Sequence, residues 1–224
     1  MTDIQTKLQQ IFAQPLPGEA GQILMSPSNR FPGGLSDDRS AARNCSVMLL
    51  LYQQQGEWRI IFMKRPSYDG VHSGQVSFPG GKWEQQDKDA WDAAVRETIE
   101  EIGITKPIVK LGQLTSIYIP HSNSLVYPMV GMVDEIGILS PDSFEVEQLI
   151  EAPLFDFYQA ENLGSFTFKV AGETISAPCY NIEGHCIWGA TAMIMSEFLC
   201  FVKPYSDLFI AQPFCNAQTL PEYL

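Results

Sequence analysis

Apolar and polar positions alternate along the chain with periods that change from segment to segment. Residues 3–13 set Ile4, Leu8, Ile11 and Phe12 three and four apart, the spacing of a helix with one apolar stripe, with Thr2 or Asp3 as its cap. Residues 14–44 lose that period and fill with Pro, Gly, Ser and Asp, which reads as an extended lead-in wrapped on the core. Apolar runs of strand length follow at 46–52 (SVMLLLY) and 58–64 (WRIIFMK), and the QQQGE between them predicts a hairpin. A glycine-containing loop, SYDGVHSGQVSFPGG, ends at Gly81. The spacing then predicts a helix over 89–102, with Trp91, Ala94, Val95, Thr98 and Ile102 as its inward stripe and Gly103 as its C-cap.

Further strands are expected at 108–118 and 125–133, on either side of PHSNS, and around 145–151. Residues 164–170 and 173–180 suggest a hairpin turning at Ala171-Gly172, and 188–202 make a second, more apolar helix. This order predicts an α/β (α+β) fold in which a mixed β-sheet is sandwiched between helices. The expected organisation is an N-terminal helix and extended lead-in over 1–41, a main domain over 42–202, and a C-terminal tail over 203–224 packed on that domain.

Charge narrows the function classes. With 14 Lys and Arg against 26 Asp and Glu, the net charge of −12 argues against nucleic acid as a partner, since phosphate neutralisation needs clustered cations. An anionic phosphate substrate would then need local cations to overcome the repulsion. No apolar run reaches the length of a membrane span, and MTDIQTKLQQIF lacks the basic start and apolar run of a secretory signal. The five cysteines show no CxxC spacing and no histidine at ligand distance, so reduced thiols in a cytoplasmic protein are expected rather than a zinc site. A homodimer is left open, because nothing in the pattern fixes the oligomeric state.

The segment with chemical content is GGKWEQQDKDAWDAAVRETIEEIGI, Gly80 to Ile104. On the helix, Glu97, Glu100 and Glu101 are three and four apart and share a face. Crowded carboxylates need a counter-charge, and hard cations such as Mg²⁺ or Mn²⁺ prefer carboxylate oxygen. Arg96 adds a fixed cation that reaches Glu100. Taken alone, such a string is more often a solvated charged face. The Gly80-Gly81 pair ahead of it, where backbone can approach a ligand, and the apolar opposite face favour a site whose carboxylates point away from the core.

Here the chain resembles the Nudix hydrolases, whose box runs Gly-x5-Glu-x7-Arg-Glu-U-x-Glu-Glu-x-Gly-U, with U a bulky aliphatic residue. Arg96, Glu97, Glu100, Glu101, Gly103 and Ile104 match its second half, and Thr98 stands at an aliphatic position. The first half carries one extra residue between Gly81 and Arg96, and Lys88 falls where a glutamate is expected; Glu84 or Asp87 remain as the carboxylate that supports Arg96. That insertion, in FPGGKWEQQD at 78–87, is similar to the branch that cleaves coenzyme A. The upstream IFMKRPSYDGVHSGQVSFPGG aligns with the same branch from Arg65 through Gly74, Val76 and Phe78 to Gly81, with Pro66 and Gly70 departing from it. YIPHSNSLVYP and IWGATA also resemble this branch, so the likeness covers roughly residues 42–200.

The resemblance implies metal-dependent hydrolysis of a diphosphate bond, with coenzyme A or acyl-CoA giving 3′,5′-ADP and 4′-phosphopantetheine. It implies Mg²⁺ or Mn²⁺ on Glu97, Glu100, Glu101 and the carbonyl of Gly81. Glu100, with Arg96 and Glu97, forms the catalytic set; Glu100 is the candidate base and Glu145 or Glu147 the alternative. Arg65, His72, Gly74, Gln75 and Gly80 are the candidate substrate contacts. Ser73 could contact substrate, and His121 and Asn123 could line the cleft, or all three be plain loop residues; Trp188 and Trp83 are expected to pack rather than stack on a ligand. The rival functions are hydrolysis of ADP-ribose, a dinucleotide or a nucleotide sugar, and a catalytically silent binding module.

Overall fold

The apolar runs at 46–52 and 58–64 become the two central strands of the main sheet. The structure, a computed structural model, describes residues 3–28, 41–67, 74–170 and 172–209. In chain order these form α1 (Asp3–Phe12), α2 (Glu19–Gln22), β1 (Arg43–Gln54), β2 (Glu57–Lys64), β3 (Val76–Ser77), β4 (Gly80–Lys82), α3 (Ala90–Ile102), β5 (Val109–Gln113), β6 (Ile117–Ile119), β7 (Ser124–Met132), β8 (Gln148–Pro153), β9 (Leu163–Val170), β10 (Glu173–Ile182), β11 (His185–Trp188), α4 (Gly189–Val202) and α5 (Ser206–Phe209).

The main sheet is mixed. Its path runs β3-β2-β1-β7-β5, with β1 parallel to β7 and the other pairs antiparallel; β4 pairs with β1, β6 with β7 and β8 with β2. β1 reads as an unbroken apolar run because both of its faces are covered. Met48, Leu50 and Tyr52 face α3, whereas Leu49 and Leu51 enter the larger core with α1 and α4. The expected sheet between helices is therefore present. A second, three-stranded sheet, β11-β10-β9, joins the α4 side through Tyr180, Ile182 and Ile187.

Several expectations shift. The segment 108–118 is two strands, because β5 has a register shift between Lys110 and Gly112 and Leu114 N–H turns to Pro128 O at 2.9 Å. The strand expected from 145 starts at Gln148, since Asp142 O accepts from the N–H groups of Glu145 and Val146 and holds them in a turn. β11 was not foreseen, and it moves the start of the last helix to Gly189. Ala171 of the predicted hairpin turn lies outside the described residues.

A charged side chain also stands in the core. Glu197 of α4 is fully buried and accepts from Gln22 Nε2 at 2.8 Å and from Thr115 N–H at 3.2 Å. Buried polar groups need such partners, and these tie α2 and the β5–β6 connection to α4.

Candidate active site

A short strand and a helix meet at β1, β4 along its N-terminal half and α3 against Met48, Leu50 and Tyr52. β4 pairs Val47 with Gly80, Ser46 with Gly81 and Cys45 with Lys82, which holds the Gly80-Gly81 turn against the sheet. Helix α3 then starts at Asp89, whose side chain accepts from the N–H groups of Trp91 and Asp92 at 2.8 and 3.0 Å. It stops at Gly103, in a left-handed conformation with its N–H on Ile99 O. The buried stripe of α3 is Ala90, Ala93, Ala94, Thr98, Glu101 and Ile102; Trp91 and Val95, expected inside, lie half-buried on its flank. Thr98 is tolerated there because its hydroxyl donates to Ala94 O at 2.6 Å.

Glu101 corrects the expectation that all three carboxylates point away from the core. It is 2 % exposed and accepts from the N–H of Gly80 at 2.6 Å, with the Arg65 guanidinium at 3.6 Å. Burial pushes its carboxyl up to about 8; Gly80 and Arg65 pull it down, and Glu97 and Glu145 push it up. Glu97 is also raised, chiefly by burial, against the lowering effect of Arg96. Glu100 is the open member of the three, with 58 % of its side chain exposed.

Arg96 is the organiser. Its guanidinium reaches Asp87 through Nε at 3.1 Å and Nη2 at 3.0 Å, Glu97 at 3.0 Å, Glu100 at 2.9 Å and the carbonyl of Lys82 at 2.9 Å. Asp87 thus supplies the supporting carboxylate, while Glu84 stands 3.9 Å away. Arg96 lowers Asp87, and the surrounding carboxylates raise Arg96. The nine-residue offset from Asp87 to Arg96 is not a helical interval, which is why spacing alone could not choose the partner.

The glycines are required by contact. A Cβ on Gly80, at φ +149°, would sit 2.2 Å from Ser46 O, and one on Gly81 would sit 2.5 Å from the Glu97 carboxylate. Replacing Gly81 by Ala is expected to push Glu97 aside and lower turnover at least tenfold, with a fold that circular dichroism shows unchanged. Turnover equal to wild type would mean that Glu97 has room the geometry does not show.

The other candidates divide. Arg65 is turned toward Glu101 and the carbonyl of Gly80, at 3.4 Å, rather than out to solvent. Gly74 closes the β2–β3 connection through its N–H to Pro66 O, and Gln75 O accepts from Arg65 N–H. His72 and Ser73 lie outside the described residues. Glu147 pairs with Lys64 at 2.6 Å, whereas the charge of Glu145 is felt at both Glu97 and Glu101. His121 is exposed, and Asn123 is a turn residue that donates to Ala41 O. Trp83 packs as expected, donating to Ser46 Oγ at 2.8 Å and lying 5.3 Å from the Tyr127 ring. Trp188 is half-buried against Phe166 and Phe168 on the second sheet, outside the main core.

Among the described residues, no three His, Cys, Asp or Glu side chains converge as a ready ion site. Glu101 faces Gly80, while Glu97 and Glu100 face Arg96. The chemistry nevertheless suits a hard divalent cation. All donors are oxygens, the carboxylates of Glu97, Glu100, Glu101 and Glu145 outnumber the two guanidinium groups, and Arg96 is already shared with Asp87.

Residues 42–169, more than half of the chain, match the model of the NUDIX domain. The chain belongs to the NUDIX domain family. Among its relatives, Nudix hydrolase 22, chloroplastic, of Arabidopsis thaliana is 31 % identical over 81 % of this chain and 63 % of that protein. Mitochondrial coenzyme A diphosphatase NUDT8 of Homo sapiens is 32 % identical over 74 % of this chain and 72 % of that protein. Nudix hydrolase NudL of Photorhabdus laumondii is 32 % identical over 74 % of this chain and 87 % of its own length. The chain spans a little under two thirds of the two Arabidopsis relatives, 63 % and 64 %. Among solved structures, MutT protein from Methanosarcina mazei Go1 aligns over 73 % of this chain and 95 % of that one, at 16 % identity and a TM-score of 0.48. No helix of the described residues is long and apolar enough to cross a membrane.

Proposed function

We propose that this Nudix protein hydrolyses the diphosphate of coenzyme A or acyl-CoA, giving 3′,5′-ADP and 4′-phosphopantetheine. The observation that carries the reaction class is the carboxylate cluster at the Gly80-Gly81 turn, with Glu101 buried against Gly80 N–H and Arg96 clamped by Asp87. The substrate reading rests on the FPGGKWEQQD and upstream motifs, and a relative named as a coenzyme A diphosphatase supports it.

Glu97, Glu100, Glu101 and the carbonyl of Gly81 are the groups that would hold Mg²⁺ or Mn²⁺. Such an ion, when bound, neutralises the diphosphate and acidifies water. The protein's own part is positional. Arg96 fixes Glu97 and Glu100, and Asp87 fixes Arg96. Water attacks one phosphorus, the anhydride P–O bond breaks toward the departing phosphate, and the proton of the water passes to the base. Glu100 is that base in this reading, because its carboxylate is both open and held by Arg96. Glu145 is the alternative, from its position in the field of Glu97 and Glu101. Arg65, Gly74, Gln75 and Gly80 remain the proposed substrate contacts, with His72 beyond the described residues. A cytoplasmic protein fits the free thiols of Cys45, Cys179, Cys186 and Cys200, while relatives bear chloroplastic and mitochondrial names.

A substrate panel with product identification tests the proposal. The full chain with Mg²⁺ or Mn²⁺ is expected to cleave coenzyme A and acyl-CoA in preference to ADP-ribose, a dinucleotide and a nucleotide sugar. Hydrolysis of ADP-ribose with coenzyme A untouched would move the chain to the rival Nudix reading. No hydrolysis of any member would favour the silent binding module, against which the retained Glu97, Glu100 and Glu101 argue.

A further inference from the structure

The connection between β7 and β8 exposes two large apolar side chains almost completely, Ile138 at 91 % and Phe144 at 90 %. The backbone around Phe144 is held at several points. Ser140 N–H donates to Ile102 O at 3.1 Å and Asp142 N–H to Glu101 O at 2.9 Å, which fastens the turn to the end of α3 that carries the carboxylates. Phe144 N–H donates to Asp142 Oδ1 at 2.8 Å, Val146 N–H to Asp142 O at 2.8 Å, and Glu147 N–H to Lys64 O at 2.9 Å. Val146 is buried, so the turn is anchored on both sides of the exposed ring. The charge of Glu145, the next residue, is felt at Glu97 and Glu101. The turn thus presents an aromatic ring to water at the rim of the candidate site.

We propose that Phe144 is a specificity-determining residue whose ring stacks on the purine base of a nucleoside diphosphate substrate bound at the carboxylate cluster. This rests on the diphosphatase reading above and names a contact for one half of the substrate. Three features select a base over other substrate parts. A phosphate group gains nothing from a phenyl ring beside Glu145. An aliphatic chain needs a concave groove to bury its length, and Phe144 stands on a convex turn. A flat neutral ring needs only one open face, because every base offers a π-face to an aromatic side chain.

The test uses the full chain and the variants Phe144→Ala, Phe144→Leu and Phe144→Tyr. Steady-state kinetics with coenzyme A are paired with equilibrium binding of the two product halves, 3′,5′-ADP and 4′-phosphopantetheine. Phe144→Ala and Phe144→Leu are expected to raise KM for coenzyme A and Kd for 3′,5′-ADP about tenfold. The kcat should stay within about twofold, and 4′-phosphopantetheine binding should be unchanged. Phe144→Tyr keeps the ring and should behave as wild type. An unchanged KM and 3′,5′-ADP affinity in Phe144→Ala, or a loss confined to 4′-phosphopantetheine, overturns the stacking. A wild type that hydrolyses no adenine-containing diphosphate defeats the functional reading instead; the 3′,5′-ADP affinities of wild type and Phe144→Ala then still decide the contact.

Discussion

Replacing Glu101 by Gln lowers turnover by about 10³-fold or more while the fold is retained. The side chain keeps its shape, and its remaining carbonyl oxygen can still accept from the N–H of Gly80, at 2.6 Å in the wild type. What disappears is one negative charge of the cluster and one strong oxygen donor for a divalent cation. The outcome to measure is kcat for coenzyme A at saturating Mg²⁺ or Mn²⁺, with a far-ultraviolet spectrum as the folding control. Turnover within a factor of about ten of wild type would remove Glu101 from the metal-holding set.

The same variant carries a second signature, in stability against pH with a chelator present. Burial raises the Glu101 carboxyl to about 8 in the folded chain, well above its ordinary value of 4.5. On raising the pH, the unfolded chain therefore releases this proton first. The stability held by the protonated carboxyl is complete below about 4.5 and is lost as pH climbs through about 8. Glu101→Gln cannot ionise, so its stability should not fall in that window. Its stability relative to wild type, followed by melting at each pH, should rise between pH 5 and pH 8 by on the order of 3 kcal/mol. A difference that does not vary with pH would mean that Glu101 is ionised in the metal-free protein throughout.

These outcomes depend on features that the sequence shows unequally. The helix 89–102 was legible because apolar period, cap position and terminal glycine all agree over a long segment. β1 and β2 were legible for the same reason: unbroken apolar runs of strand length between turn residues. Short elements such as β11 and β4 carry too few residues for a period to show. β4 in particular is a strand only because Ser46 and Val47 offer it backbone partners. Within the site, helical spacing correctly brought Arg96 to Glu100. It could not show that Glu101 turns inward, because the group that receives it, the N–H of Gly80, is twenty-one residues away along the chain. The Arg65 contact to Glu101 was hidden for the same reason, and the sequence offered Arg65 only as a candidate substrate contact. Glu145 was named with Glu147 as the alternative base, but its influence on the cluster follows from the attachment of the 140–147 turn to α3, which no local pattern records.

Removing Arg96 should destabilise the fold as well as the site. Arg96→Ala leaves Asp87, whose side chain is 3 % exposed, as a shielded carboxylate without its cation. Glu97 and Glu100 lose the charge that lets them stand together, and the carbonyl of Lys82 loses its donor. Removing one partner from a buried ion pair costs several kcal/mol, because the other charge is stranded. Arg96 is partly open to water, with 15 % of its side chain exposed, so a loss of roughly 2–4 kcal/mol is expected. Arg96→Lys should recover little of it, since one ammonium cannot serve both oxygens of Asp87 and the two glutamates in the planar arrangement that the guanidinium provides. The double change Asp87→Asn with Arg96→Ala separates the contributions. If the stranded carboxylate is the cause, neutralising Asp87 should restore much of the melting temperature lost in Arg96→Ala. Turnover should stay low, because Glu97 and Glu100 remain unheld. A double variant as unstable as Arg96→Ala would instead assign the loss to crowding of Glu97 and Glu100 on α3. A double variant that also regains turnover would show that the catalytic geometry does not need Arg96.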